Sequence, residues 1–251
     1  MSATLPTQGS SSAVATEIRR FAALSETWWD PNGPFAPLHA MNPVRLGYIR
    51  DHLAPDDTSI TPLSGKAVLD VGCGGGLLSE PLARMGASIT GVDAAAEGIE
   101  VARAHALSQG LDVNYICTTA EAFLSEHGPE KFDVICALEI IEHVADSRAF
   151  VHTLSKLLKP GGQLFISTIN RTSLSFVFAI VGAEYITRKI PRGTHDWRKF
   201  LAPHQVGQYC RVAGLTVRDV TGMFHNPILR TWTLSTNRMR INYIMNASRP
   251  D

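Results

Sequence analysis

The residues best suited to chemistry begin with Gly72, Cys73, Gly74, Gly75 and Gly76, which follow the apolar run Val68, Leu69, Asp70, Val71 directly. A buried strand that runs into a glycine turn and then a helix offers unpaired backbone N–H groups against which a ligand can lie. Asp93 closes the next apolar run. A carboxylate in that place can accept hydrogen bonds from both hydroxyls of a ribose. The pair is more specific than either part. Counting from Gly72, Leu77 stands where a G-x-G-x-x-G dinucleotide fingerprint needs its third glycine, and no G-x-x-x-x-G-K-[ST] phosphate loop occurs. These absences favour an adenosine ligand without a phosphate chain.

Glu139, Glu142 and His143 form a second group, just past the apolar run 132–138. On a helix, positions i, i+3 and i+4 share one face. They would then stand at the carboxyl edge of a sheet, where open α/β folds bind ligands. Two carboxylates and an imidazole there can hold a hard divalent cation such as Mg2+. Alternatively, His143 acts as a general base, or Glu142 and His143 only order the loop. His195 and His225 read as structural, His195 beside Asp196 being the better catalytic candidate.

The elements that must position these groups alternate in type from Lys66 onward. Strands are expected over 67–71, 88–92, 113–117, 132–138 and 163–169, with helices between them, Asp146 as an N-cap, and a turn at Lys159, Pro160, Gly161 and Gly162. This is the pattern of βαβ units around a mostly parallel sheet with helices on both faces. Upstream, residues 13–29 read as one amphipathic helix and 44–52 as a second, short one. The stretch between them is irregular because of Pro34, Pro37 and Pro43. This segment can fold over a site as a lid. The stretch 170–203 is too long for an ordinary connection. Beyond it a helix follows Pro203 and strands are expected near 215–220 and 241–245. Residues 1–16 are expected to be a disordered leader and 17–251 one domain carrying the insertion.

Composition sets outer limits. The chain has 251 residues, 45% of them hydrophobic, enough for a real core. Lys plus Arg and Asp plus Glu each number 23, so the field that draws proteins to nucleic acid is missing. Cys73, Cys117, Cys136 and Cys210 form no C-x-x-C pair and read as buried free thiols in a reducing compartment.

S-adenosylmethionine is an adenosine ligand without a phosphate chain, and the glycine turn with Asp93 resembles the first two motifs of class I methyltransferases, whose fold is Rossmann-like. Ala120-Glu121, the run 132–138 and Leu158-Lys159-Pro160-Gly161-Gly162 agree with that resemblance. A closer one covers residues 21–245: Asn42-Pro43-Val44-Arg45-Leu46, Leu138-Glu139-Ile140-Ile141-Glu142-His143-Val144, Ser167-Thr168-Ile169-Asn170-Arg171, Gly193-Thr194-His195-Asp196-Trp197 and His225-Asn226-Pro227 resemble the ubiquinone-biosynthesis O-methyltransferases. The resemblance implies methyl transfer from S-adenosylmethionine to ring hydroxyls of polyprenylated phenol or quinol precursors, including demethylubiquinol. It implies that Arg45, Gly72, Gly74, Asp93, Glu121 and Leu138 bind the cofactor, Glu121 near adenine, and that Glu139, Glu142 and His143 hold a divalent ion, with Glu142 and His143 catalytic. Residues 174–192 pair an apolar run with Arg188, Lys189 and Arg192, suited to an anionic membrane surface. A cytoplasmic enzyme held peripherally at the inner membrane is expected, or one on the matrix side of the mitochondrial inner membrane. Other ubiquinone-biosynthesis proteins are candidate partners. The alternatives left open are a C-methylating quinone-pathway or soluble-phenol methyltransferase, and a non-catalytic lipid- or nucleotide-binding module.

Overall fold

The computed structural model describes residues 13–172, Ser175, 197–226 and 231–251. One sheet of eight strands organises them, in the order β3-β2-β1-β4-β5-β8-β6-β7. The first five are β1 (Ala67–Val71), β2 (Ser88–Asp93), β3 (Asn114–Cys117), β4 (Phe132–Leu138) and β5 (Leu158–Ile169). They pair in parallel. The last three, β6 (Thr216–Asn226), β7 (Thr231–Ser235) and β8 (Asn242–Ser248), pair antiparallel with their neighbours, and β8 lies between β5 and β6. The sheet is therefore the expected mostly parallel one with an antiparallel extension.

Side chains alternate across a strand, and the central strands have both faces covered. Leu69 and Ile135 point into a core completed by Phe150, Val151 and Leu154 of α6 (Ser147–Leu157) and Val206 and Cys210 of α7 (Pro203–Val212). Val68, Val134 and Cys136 face the other way, onto Met41, Leu46 and Ile49 of α2 (Ala36–Leu53) and Leu82 of α3 (Ser79–Arg84). The remaining helices are α1 (Ala15–Ala22), α4 (Ala96–Ser108) and α5 (Ala120–His127). Asp146 caps α6 as expected, its carboxylate accepting the N–H groups of Arg148 and Ala149.

Several expectations need correction. The helix over 13–29 divides into α1 and a single 3-10 turn at Ser25–Thr27. Of the stretch expected to be irregular, 30–35 is so, but from Ala36 on it is the front half of α2, an 18-residue helix. Pro37 fits because the first turn needs no N–H partner, and Pro43 is carried inside the helix. Residues 13–16 are not leader: Ala13 bridges to Val144 and α1 starts at Ala15. Residues 1–12 lie outside the described part. The turn at 159–162 belongs to β5, where the pairing with β4 slips and Gly161 takes φ of 72°. Cys117 is exposed, while the other three thiols are buried. The apolar–cationic run 174–192 and His195 fall outside the described residues, Ser175 apart.

Candidate functional site

A cavity opens at the carboxyl ends of β1, β2 and β4, lined among others by Arg45, Asp70, Gly72, Asp93, Leu138, Glu139 and His143. It brings together the glycine turn, the acidic end of β2 and the segment after β4, as the sequence suggests. Thr118, Thr119 and Ala120 line its far end. Glu121 is not one of the lining residues, but both its carboxylate oxygens are enclosed without a partner, the state of a group prepared to accept a donor.

The glycines are bare for a reason the sequence does not reveal. Gly72 has φ of 73°, and a Cβ there would come within 2.9 Å of the Ile140 side chain. At Gly74 a Cβ would run into the six-membered ring of Trp28, and at Gly75 into the first atoms of the same side chain. Part of the glycine turn is therefore kept empty for an indole and an isoleucine. The turn itself is braced by Asp93: Oδ2 accepts the Gly74 N–H at 2.9 Å and Oδ1 the Ala95 N–H at 2.8 Å. Burial pushes the Asp93 carboxyl up, against these donors. Each carboxylate oxygen still has an accepting direction left for a ribose hydroxyl.

Arg45, on α2, also lines the cavity and is 3% exposed. One of its terminal nitrogens donates to Asn42 Oδ1 at 2.9 Å, while its Nε–H has no partner. Burial pushes its pKa down, with the charges of Glu139 and Asp70 opposing. A buried guanidinium with an unused donor fits the carboxylate of an amino-acid ligand. With the ribose acceptor at Asp93 and the open carboxylate of Glu121, the residues present suit S-adenosylmethionine.

The segment after β4 departs from the expected helical face. Glu139 takes φ of 55°, unusual for a residue with a side chain, and only Ile141–His143 forms a 3-10 turn. The three side chains part ways. Ser167 donates to Glu139 Oε1 and Thr168 to Glu142 Oε2, each at 2.7 Å. His143 Nδ1 lies 3.2 Å from Glu17 Oε2. Burial and the charge of Glu142 raise the Glu139 pKa. Among the described residues no three His, Cys, Asp or Glu side chains are grouped to hold a metal ion. The expected cation triad of Glu139, Glu142 and His143 therefore does not fit as it stands, because the three side chains are drawn to different partners, Ser167, Thr168 and Glu17, and are not grouped around one point.

Glu17 is a residue of the cavity wall that sequence reasoning did not single out. It projects from α1, meets His143 on one side and lies 3.6 Å from Lys199 Nζ on the other. Its hydrogen bond to His143 outweighs burial and, with neighbouring positive charges, lowers its pKa to about 2. Burial alone would lower the His143 pKa; Glu17 and Glu142 reverse that and raise it. Phe21 packs edge-on against the imidazole, with ring centres 5.3 Å apart. The only sequence signal was the amphipathic pattern over 13–29. His225 lies against Trp232 on the antiparallel edge, the rings tilted by 54°, and is not one of the cavity's lining residues.

Residues 48–220 match the model of a methyltransferase domain family. The chain is 48% identical over 240 residues to a ubiquinone biosynthesis O-methyltransferase of Chelativorans sp. (strain BNC1), covering 94% of both chains. It is 47% identical over 239 residues to that of Dinoroseobacter shibae, covering 94% of this chain and 96% of the relative. Among solved structures, magnesium protoporphyrin IX methyltransferase from Synechocystis PCC 6803, with bound SAH, superposes with a TM-score of 0.59 at 20% identity, over 94% of each chain. A SAM-dependent methyltransferase from Aquifex aeolicus gives 0.57 at 16%, over 92% of this chain and 97% of the other. At such identities these two speak for the fold.

Proposed function

The chain belongs to the ubiquinone biosynthesis O-methyltransferase family, enzymes that use S-adenosylmethionine to methylate ring hydroxyls in the ubiquinone pathway, and from that premise we propose that His143 is the base that ionises the substrate hydroxyl. The substrate is a polyprenylated phenol or quinol. A phenol with a pKa of about 10 is mostly un-ionised at neutral pH, whereas the sulfonium methyl group needs no activation. The protein's task is to remove one proton and hold oxygen, methyl carbon and sulfur in line, away from water.

One observation carries this reading: His143 lines the cavity while its Nδ1 is held by Glu17. A carboxylate only accepts, so Nδ1 carries the proton and Nε2 is left free to take one. The phenol proton moves to Nε2, the oxygen attacks the methyl carbon, and the C–S electrons return to sulfur. Arg45 receives the cofactor's carboxylate, Asp93 the ribose, and Glu121 the adenine amino group. Gly72 and Gly74 let the chain pass close to the ligand, and Leu138 supplies apolar contact. No step is routed through a cation, since the residues do not fit one.

His143→Gln should lower kcat by about two orders of magnitude or more and leave the cofactor Kd unchanged. Glu17→Gln should lower kcat less. Unchanged turnover in His143→Gln, with methylation abolished by a chelator, would overturn the base in favour of a cation.

The finer setting belongs to the same proposal. The enzyme works at the cytoplasmic face of a membrane, with 174–192 as the contact. What supports this is the apolar and cationic composition of that run and a substrate with a polyprenyl tail. Among the described residues no helix is long and apolar enough to cross a membrane. Changing Phe176, Phe178 and Ile180 to Ser should abolish flotation with anionic liposomes; equal flotation would count against the contact.

A further inference from the structure

Trp28 carries an unexplained group. It is 7% exposed, and its indole Nε1–H has no partner among the described residues. A buried N–H left unpaired is costly, and native structures keep few of them without a reason. The surroundings make the omission specific. The backbone N–H of Trp28 donates to Ser25 O, and its carbonyl is met by His39 Nε2 at 2.8 Å. The neighbouring Trp29 donates its own Nε1–H to Gly75 O at 3.0 Å and stacks on His105, which is paired in turn with Glu80. The other polar groups of Trp28 and Trp29 named here are thus paired, and the Trp28 indole N–H is not.

The ring is also firmly held. It stacks on Phe35 with centres 3.7 Å apart and planes 4° from parallel, and it covers Gly74 and Gly75, whose missing side chains leave it room. The donor is thus fixed in place, not searching for solvent. The other buried, unpartnered N–H on the same cavity wall is Arg45 Nε. Two enclosed donors, one of them cationic, call for an acceptor bearing negative charge.

We propose that the Trp28 indole N–H, together with Arg45, binds the carboxylate of S-adenosylmethionine, so that the segment before α2 recognises the amino-acid end of the cofactor. This rests on Arg45 taking that carboxylate. Trp28 then links two tasks: it seals the glycine turn and reads the ligand's charge.

The test is calorimetry with S-adenosylmethionine and with its decarboxylated form, which keeps the sulfonium and the amine. The proteins are the full chain, Trp28→Phe and Arg45→Gln. Phenylalanine keeps an aromatic ring for the stack on Phe35 and removes the donor together with part of the ring over Gly74, any packing loss being one that both ligands would feel alike. Trp28→Phe should weaken S-adenosylmethionine about tenfold and leave the decarboxylated ligand unchanged, which also shows that the variant is folded. An equal loss for both ligands would make Trp28 a packing residue and overturn the proposal, as would no loss for either. Arg45→Gln keeps the two failures apart. If it discriminates between the ligands and Trp28→Phe does not, Trp28 alone is wrong. If Trp28→Phe discriminates and Arg45→Gln does not, the carboxylate lies with Trp28 and the role given to Arg45 fails.

Discussion

Asp70, on β1, is 3% exposed and accepts the Ser79 hydroxyl at 2.6 Å. Burial raises its pKa from 3.8 to about 6, although Ser79 and Arg45 pull the other way. The folded state therefore holds this proton where the unfolded chain has already lost it. Stability falls as pH rises from about 4 to 6, by on the order of 2 to 3 kcal/mol from this group alone. Asp70→Asn should flatten that window, as denaturant titrations at pH 4 and pH 7 would show. A wild-type loss that persists in Asp70→Asn would assign it to other groups. Little of this was legible in the sequence, which marks Asp70 only as a strand residue. The same holds for Glu139, whose positive φ dissolved the helical face read from its spacing, and for Trp28, whose fit over two glycines links positions 46 residues apart.

At the level of elements, what could be read depended on how local the cause is. The parallel strands were legible, β1 and β4 to the residue, because a strand buried on both faces is a short apolar run between turn residues. The extension was less so: β7, at the sheet's edge with Thr231, Thr233 and Leu234 exposed, has no buried side to announce it. α2 was hidden by its prolines, which propensity treats as breaks and packing against β1 and β4 overrides. The helix α1 was found, though shorter than expected, but not its contacts in the cavity. It has no buried residue, so it adds little to the core, yet it supplies Glu17 and Phe21 to His143. Deleting residues 1–22 should lower Tm by no more than about 4 °C while reducing turnover at least as much as Glu17→Gln. A large loss of Tm would make α1 a structural element instead.

For the whole molecule, the cofactor should act as a clasp. The cavity is walled by the sheet's carboxyl edge, by α1 through Val14, Glu17, Ile18 and Phe21, and by Trp28 and Arg45 from the segments that follow. A ligand filling it touches all of these parts at once. S-adenosylhomocysteine at a hundredfold excess over its Kd stabilises the folded state by about 2.7 kcal/mol if it binds only that state, which for a chain of this size is a rise in Tm of about 5 to 10 °C. A global gain does not reveal where the ligand holds the chain. Trypsin does: Arg19 is exposed on α1, a helix whose local opening costs little because it buries nothing. If the ligand ties α1 to the sheet, cleavage after Arg19 should slow with S-adenosylhomocysteine by more than cleavage at exposed Lys66, ahead of β1. Equal slowing at the two sites would mean that the cofactor stabilises the sheet without recruiting the lid, and His143 would then owe its position to the 3-10 turn alone.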